Sequence, residues 1–305
     1  MSTTHTVGDR LTLAVTTLVF TVFALSLGDA LIKRFSTDFT LWQIFVIRSV
    51  LALPVVIAGI KIGFAETPLW PRSPGWTLLR SLMLCFMWVA YYIALPQVAL
   101  SVAAAAFYTL PLFITLFAAL FLGDRVGLIG WLAVCLGFCG VLLVLKPHSD
   151  DFNVYAMLPI VSAILYALSM IITRSKCRNE NALVLSLVLN LSFVGIGLVA
   201  TVLIFTLSSP LPDPSRYSFL LGSWSAMVGS DWLVMGLLTT AILIGSIGTA
   251  IAYQMGPPSI LGTIDFAYVG FAAGWGFLFF AEVPDKVTAT GMIMIVAAGL
   301  LAVKR

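Results

Sequence analysis

Two stretches of this chain read as versions of one pattern. Phe107–Val144 (FYTLPLFITLFAALFLGDRVGLIGWLAVCLGFCGVLLV) is echoed by Asp265–Val303 (DFAYVGFAAGWGFLFFAEVPDKVTATGMIMIVAAGLLAV). Each is an apolar run of helix length, a short acidic turn (Gly123-Asp124 or Ala281-Glu282), then a second apolar run with glycine near its end. The turns lie 158 positions apart, about half of the 305-residue chain. A duplication of this kind restricts the fold to two related halves, 1–148 and 149–305.

The medium follows from composition. Soluble domains carry about 25% charged residues; this chain has 10%, with 61% hydrophobic residues and a mean hydropathy of +1.09. In water so apolar a surface would aggregate, so the lipid bilayer is the solvent for most of it. A duplicated apolar chain points to a membrane transporter built from repeats. The net charge of +3 gives no reason to expect nucleic acid. Four cysteines (Cys85, Cys135, Cys139, Cys177) and two histidines (His5, His148) form no CxxC, HExxH or Cys/His cluster, so neither a metal nor another cofactor is expected. Cys135 and Cys139 are i,i+4 neighbours whose sulfurs could meet, although small apolar filling is the simpler role.

In hydrocarbon only helices among open structures pair all their backbone groups, so each long apolar run becomes one helix. The spans are Leu11–Ile32, Thr40–Ile60, Trp76–Leu95, Ser101–Leu122, Val126–Leu145, Val154–Thr173, Ala182–Leu207, Trp232–Gln254, Ser259–Phe280 and Val287–Val303. The fold class is therefore an all-α membrane protein of ten transmembrane helices. Leu11–Ile32 is long enough to cross a core of about 30 Å and reads as a retained helix, since signal-peptide cores are shorter. The long connection Ser208–Ser230 suits the interface, with a short helix over Phe219–Met227.

Lys and Arg near span ends set orientation. With the N-terminus in the cytoplasm, ten of them fall inside (Arg10, Lys61, Arg72, Arg80, Arg125, Arg174, Lys176, Arg178, Lys304, Arg305). Five fall outside (Lys33, Arg34, Lys146, Arg216, Lys286). Both termini are expected in the cytoplasm, most simply at a bacterial inner membrane. Five helices per half is an odd number, so the second half must be inverted relative to the first, which permits alternating access.

These residues carry a family resemblance. Thr109, Pro111, Gly123, Asp124, Arg125 and Gly140 in the first half, with Phe266, Tyr268, Phe280, Glu282, Pro284, Gly291 and Gly299 in the second, resemble the EamA-type branch of the drug/metabolite transporter superfamily. The likeness runs from Leu11 to Val303. Asp124 stands where glutamate is usual, and Ala267-Tyr268 replaces the Thr-Pro pair in the second copy. The resemblance implies a secondary carrier of small polar metabolites, often an exporter of amino acids, coupled to protons or a counter-solute. Uptake of a vitamin, nucleoside-like or cationic metabolite is the alternative it leaves.

Apart from Arg80, counted above with the span ends, three ionisable residues fall within spans, where a charge costs about 2.5–3.5 kcal/mol by insertion scales. Arg48 lies near the middle of the second span. It could bind a substrate carboxylate through two parallel hydrogen bonds, or tie helices together by pairing with Asp29 or a carbonyl. Asp29 precedes Lys33 by four residues, and an i,i+4 ion pair explains it most simply. Asp265, seven residues past Pro258 and beside Phe266, could take up a proton, pair with a substrate ammonium, or make an interhelical hydrogen bond.

Among aromatics, Tyr91, Tyr92, Tyr108 and Tyr253 are candidates to line a substrate path. Trp88 and Tyr92 share a face at i,i+4 and could stack on a ring or hold a cation; interface anchoring is the commoner role. Pro54, Pro111 and Pro159 fall inside spans and should bend them. Gly270 and Gly274 permit close helix contact. Asp285 is placed to cap the last helix, and the acidic turns look like edge chemistry away from substrate. No GxxxxGK[ST] is present, so direct ATP drive is not expected. An intramembrane enzyme would need a catalytic set at depth, and both histidines lie outside the spans; a channel would need a filter. The fifth and tenth helices should support the assembly, packed internally or on a partner chain.

Overall fold

The computed structural model describes residues 7–63, 68–122, 127–146, 153–207, 218–255 and 267–303. Among the described residues all regular structure is helical. The first half holds α1 (Val7–Arg34), α2 (Leu41–Gly63), α3 (Pro74–Ala94), α4 (Leu100–Phe107), α5 (Leu110–Leu122) and α6 (Leu128–Leu145). A 3₁₀ turn (Val154–Met157) leads into α7 (Leu158–Lys176). Then follow α8 (Ala182–Leu207), α9 (Ser218–Leu221), α10 (Gly229–Met255), α11 (Ala267–Phe280) and α12 (Lys286–Val303).

Seven of the described helical stretches are long and apolar enough to cross a membrane: Thr12–Arg34, Leu41–Gly63, Pro74–Ala94, Leu128–Leu145, Val154–Thr173, Ala182–Thr206 and Gly229–Thr249. The shorter apolar stretches lie in α4–α5, α11 and α12.

Three local expectations are corrected. The fourth span is not one helix. It breaks at Tyr108-Thr109, just ahead of Pro111, which has no N–H to offer the Phe107 carbonyl. The chain re-forms around the break, with Tyr108 N bonding Ala104 O at 2.9 Å and Leu112 N bonding Thr109 O at 2.9 Å. Pro159 does not bend a helix: the first turn of its span is 3₁₀, which leaves the proline in the opening turn of α7, where a missing N–H costs nothing. The interfacial helix covers only Ser218–Leu221. Gly222 ends it, with its N–H on the Ser218 carbonyl at 2.9 Å.

Helices of the first half pack on helices of the second, and glycines set several of the crossings. α6 and α12 form the most extensive pair. A Cβ on Gly140 would stand 2.8 Å from the Gly291 carbonyl oxygen, and one on Gly291 would stand 2.7 Å from the Gly140 carbonyl oxygen. Lys146, just past the end of α6, pairs with Asp285, just before α12, so the two helices run antiparallel. α1 and α10 do the same, with Gly28 facing Ala241 and Gly248 facing Thr21. In α2 and α8, Gly59 faces Leu183 while Gly197 faces Val46. α3 meets α7 where the Ser162 hydroxyl donates to the Met87 carbonyl at 3.0 Å and Arg80 Nε donates to Thr173 Oγ1 at 2.6 Å.

The glycine pair proposed from sequence is not among these seams. Gly270 and Gly274 are exposed on α11, and a Cβ at either would meet nothing within 4 Å. Cys135 and Cys139 are free thiols on the outer face of α6.

Asp285 caps α12 as expected, accepting from Thr288 N at 2.8 Å. The hydrogen bond from Lys146, aided by that N–H, lowers its pKa to about 2. A carboxylate depressed in the fold stabilises it above the ordinary value of 3.8, and that contribution is lost as pH falls toward 2. Melting curves of the wild type in detergent should therefore fall more steeply between these limits than those of Asp285→Asn; superimposable acid limbs would refute the pairing. Gly140→Leu should overpack the α6–α12 seam and cost at least about 1–3 kcal/mol, whereas Gly270→Leu should leave the melting temperature nearly unchanged.

Candidate functional site

α1, α2, α3 and α11 bring two opposite charges and three phenols together inside the bundle. Asp29 on α1 and Arg48 on α2 are 1% and 2% exposed. They do not touch. Tyr92 on α3 stands between them: its hydroxyl donates to Asp29 Oδ1 at 3.1 Å and accepts from Arg48 Nη1 at 3.4 Å. The other carboxylate oxygen, Oδ2, accepts from the Tyr268 hydroxyl of α11. With that proton committed, Tyr91 is the donor in the 3.1 Å contact between the Tyr91 and Tyr268 hydroxyls. Each hydrogen bond in this chain therefore points toward Asp29.

Arg48 has an aromatic wall. Its guanidinium carbon lies 4.8 Å from the ring centres of Phe45 and Phe193 and 5.6 Å from that of Tyr92. Phe45 and Phe193 pack edge to face at 4.7 Å, so both rings lie on the same side of the group. Cation–π contact offsets part of the cost of burying the charge. Nε and Nη2, which together form one edge of the guanidinium, have no hydrogen-bond partner among the described residues. That edge has the fork geometry that receives a carboxylate or phosphate through two parallel bonds.

Further rings close the cluster. Trp88 stacks on Tyr92 at 4.9 Å and Tyr108 on Tyr268 at 5.2 Å. Trp275 Nε1 donates to Ser26 Oγ at 3.0 Å, one turn before Asp29. A separate groove between α1 and α11, lined by Val15, Thr16, Val19, Phe20, Phe23 and Phe271, is apolar apart from Thr16 and does not reach the charges.

Of the residues singled out by sequence, Arg48, Tyr91, Tyr92 and Tyr108 come together here. Asp265 lies outside the described residues. Tyr253 falls in the last turn of α10, and its side chain is likewise outside the described part. The expected Asp29–Lys33 pair is not formed. Lys33 Nζ donates instead to Glu282 Oε1 at 2.6 Å and to the Val98 carbonyl. Spacing along α1 allowed the pair, but two phenols from other helices hold Asp29 inward while Lys33 reaches the next segment. Tyr268, Phe45 and Phe193 were not singled out as site residues; the available cues were an aromatic three positions before Arg48 and the place of Tyr268 in the family pattern.

The Tyr92 hydroxyl serves two buried groups. Tyr92→Phe should thus cost at least about 1–3 kcal/mol, the penalty for leaving a buried polar partner unsatisfied, read as a lower melting temperature in detergent. Unchanged stability would mean that Tyr92 does not bridge the two charges.

Charges of both signs buried among aromatic rings inside a helical membrane protein mark a candidate site for a polar substrate or ion. The chain matches the EamA-like transporter family over residues 12–146 and resembles named membrane transporters over most of its length. It is 26% identical over 291 residues to a pseudopaline exporter of Pseudomonas aeruginosa, covering 95% of each chain. It is 28% identical over 230 residues to a riboflavin transporter of Rhizobium johnstonii, covering 75% of this chain and 70% of that one. With an S-adenosylmethionine uptake transporter of Rickettsia bellii the identity is 24% over 290 residues, covering 91% and 89%. A solved crystal structure 18% identical in sequence shares the fold over 96% of both chains, with a TM-score of 0.62.

Proposed function

We propose that the chain is a secondary carrier that exports a small polar metabolite bearing a carboxylate, amino acids among them, with Arg48 as the anchor. The observation that carries this reading is the guanidinium edge formed by Nε and Nη2, buried without a partner among the described residues beside Asp29. The carboxylate of the substrate docks on that edge, and any ammonium group lies toward Asp29. Tyr91, Tyr92 and Tyr108 belong to the same wall, and Asp265 and Tyr253 complete the proposed set. Transport is coupled to a proton or a counter-solute, and no chemical conversion of the substrate is proposed.

Alternating access between two inverted halves, 1–148 and 149–305, has specific support. Number the ten expected spans in order and exchange the halves. The pairing of α1 with α10 then becomes that of α7 with α3, and the pairing of α1 with α11 becomes that of α7 with α4–α5. The α2–α8 and α6–α12 pairs map onto themselves. The antiparallel α3 and α7 require an even number of crossings between them, which α4–α5 as one and α6 as another supply. Loops that touch also fall on one side of this scheme: Asn153 Nδ2 donates to the Gln97 carbonyl at 2.6 Å, and Glu180 accepts from Ser73 N at 2.7 Å on the opposite side. The Lys/Arg count favours cytoplasmic termini, and a bacterial inner membrane is the simplest setting for them.

Export is favoured by the full-length match to an exporter. The second reading, uptake of a larger metabolite, is favoured by the names of the riboflavin and S-adenosylmethionine transporters. Reconstituted liposomes with radiolabelled amino acids, carboxylates, nucleosides and choline-like cations test both. Saturable flux of a carboxylate-bearing compound should be lost in Arg48→Ala. In Arg48→Lys its half-saturation concentration should rise about tenfold or more, since each charged hydrogen bond is worth about 1.5–3 kcal/mol. Flux indifferent to both substitutions would remove Arg48 from the site.

A further inference from the structure

Glu282 is built into a clasp at the end of the bundle where α1, α4 and α11 meet. Ala281 ends α11 with a left-handed backbone (φ 53°), which turns the chain back over the helix. Its N–H bonds the Phe277 carbonyl at 3.0 Å, and Glu282 N bonds the Gly276 carbonyl at 3.1 Å. The turn lays the Glu282 side chain against Gly276, where a Cβ would come within 2.9 Å of Oε2. From there the carboxylate reaches two elements of the first half. Oε2 accepts from Leu100 N at 2.8 Å, the first residue of α4, whose own N-cap position, Ala99, has no side chain able to cap it. Oε1 holds Lys33, at the end of α1, at 2.6 Å.

Lys33 is held in turn. Its ammonium donates to the Val98 carbonyl and lies 5.1 Å from the centre of the Phe280 ring. The charged side chains are 11% and 18% exposed, so this is not a solvated surface pair. One carboxylate thus caps a helix, neutralises an ammonium and joins both to the turn that follows α11. All three elements belong to the site below: α1 carries Asp29 one turn before Lys33, Tyr108 closes α4, and Tyr268 is in the first turn of α11.

We propose that Lys33 and Glu282 are the gating pair for this end of the carrier: the path from this side to Asp29 and Arg48 opens when Glu282 releases Lys33 and the α4 N-terminus. The clasp fastens elements 1–148 to elements 149–305, the two parts that must separate at one end for access. The nearby Lys146–Asp285 pair has no such role, because it joins α6 to α12, which the Gly140–Gly291 contact already holds together. The inference rests on the carrier reading for its purpose, but its test needs no substrate.

The test uses the full-length chain carrying Cys135→Ser and Cys139→Ser, with Ser26→Cys as reporter. Ser26 is fully buried one turn before Asp29. A membrane-impermeant maleimide is applied to right-side-out and to inside-out vesicles, and labelling is read by peptide mass. In the parent the reporter should be protected from the clasp side. Glu282→Gln and Lys33→Met should each speed labelling about tenfold or more from that side alone, a shift of about 1.4 kcal/mol toward the open form. Gly276→Ala, which displaces the carboxylate without removing its charge, should do the same and covers the case in which Glu282→Gln fails to fold. Asp285→Asn should label like the parent.

Equal acceleration from both sides would reduce the clasp to a structural staple, and parent-like rates in all the clasp variants would overturn the proposal outright. One-sided labelling in a protein that transports none of the compounds tried would keep the gate and sink the substrate reading alone.

Discussion

A buried hydroxyl, that of Tyr92, keeps a carboxylate and a guanidinium near each other without letting them pair. Direct contact between Asp29 and Arg48 would satisfy both and leave neither available to a ligand. Through Tyr92 the two charges share one phenol, each carboxylate oxygen accepts one phenolic hydrogen bond and keeps capacity for more, and the guanidinium retains an edge without a partner among the described residues. Helix placement is tied to this arrangement, because α1, α2 and α11 each supply one member and α3 supplies two. Glycine at Gly28 and Gly248 lets α10 come close against α1, and Phe193 of α8 completes the wall around Arg48.

Polar chemistry at the two ends has a different character from that at the centre. At the centre, neutral phenols and rings surround the charges. At the ends, carboxylates cap helices that belong to other segments: Glu282 for α4, and Glu180 for the residues leading into α3. A cap supplied from elsewhere in the chain can be withdrawn by moving the segment that supplies it, whereas a local cap such as Asp285 travels with its own helix. The fold therefore combines permanent terminations with removable ones.

Much of the architecture was legible because hydrocarbon leaves few choices: seven of the apolar runs are helices long enough to cross a membrane, and α8 has the expected bounds. Arg48, Tyr91 and Tyr92 were visible as polar or aromatic residues in apolar surroundings. What could not be read was how α1 is turned. Asp29 and Lys33 lie four residues apart, and spacing alone favours their pairing. The competing partners, Tyr92, Tyr268 and Glu282, lie between 63 and 249 positions away in sequence. The glycines misled for a similar reason. Gly270-x-x-x-Gly274 has the motif spacing but faces outward, while Gly140 and Gly291 share no motif and meet because their helices cross there.

The pairing of helices also bears on how the chain is made. α3 packs on α7, α2 on α8, α1 on α10 and α6 on α12, so each helix in these pairs from the first half waits for a partner synthesised later. The first three pairs are nested: the earliest helix waits longest, and the third is matched soonest. A ribosome that has finished Leu145 has delivered helices whose glycine faces have only lipid against them. The contacts are of high sequence separation, which slows folding and leaves the half-made chain exposed to quality control. α12 follows every other described element and covers the glycine seam of α6, so that seam closes only after the rest of the described bundle has been made.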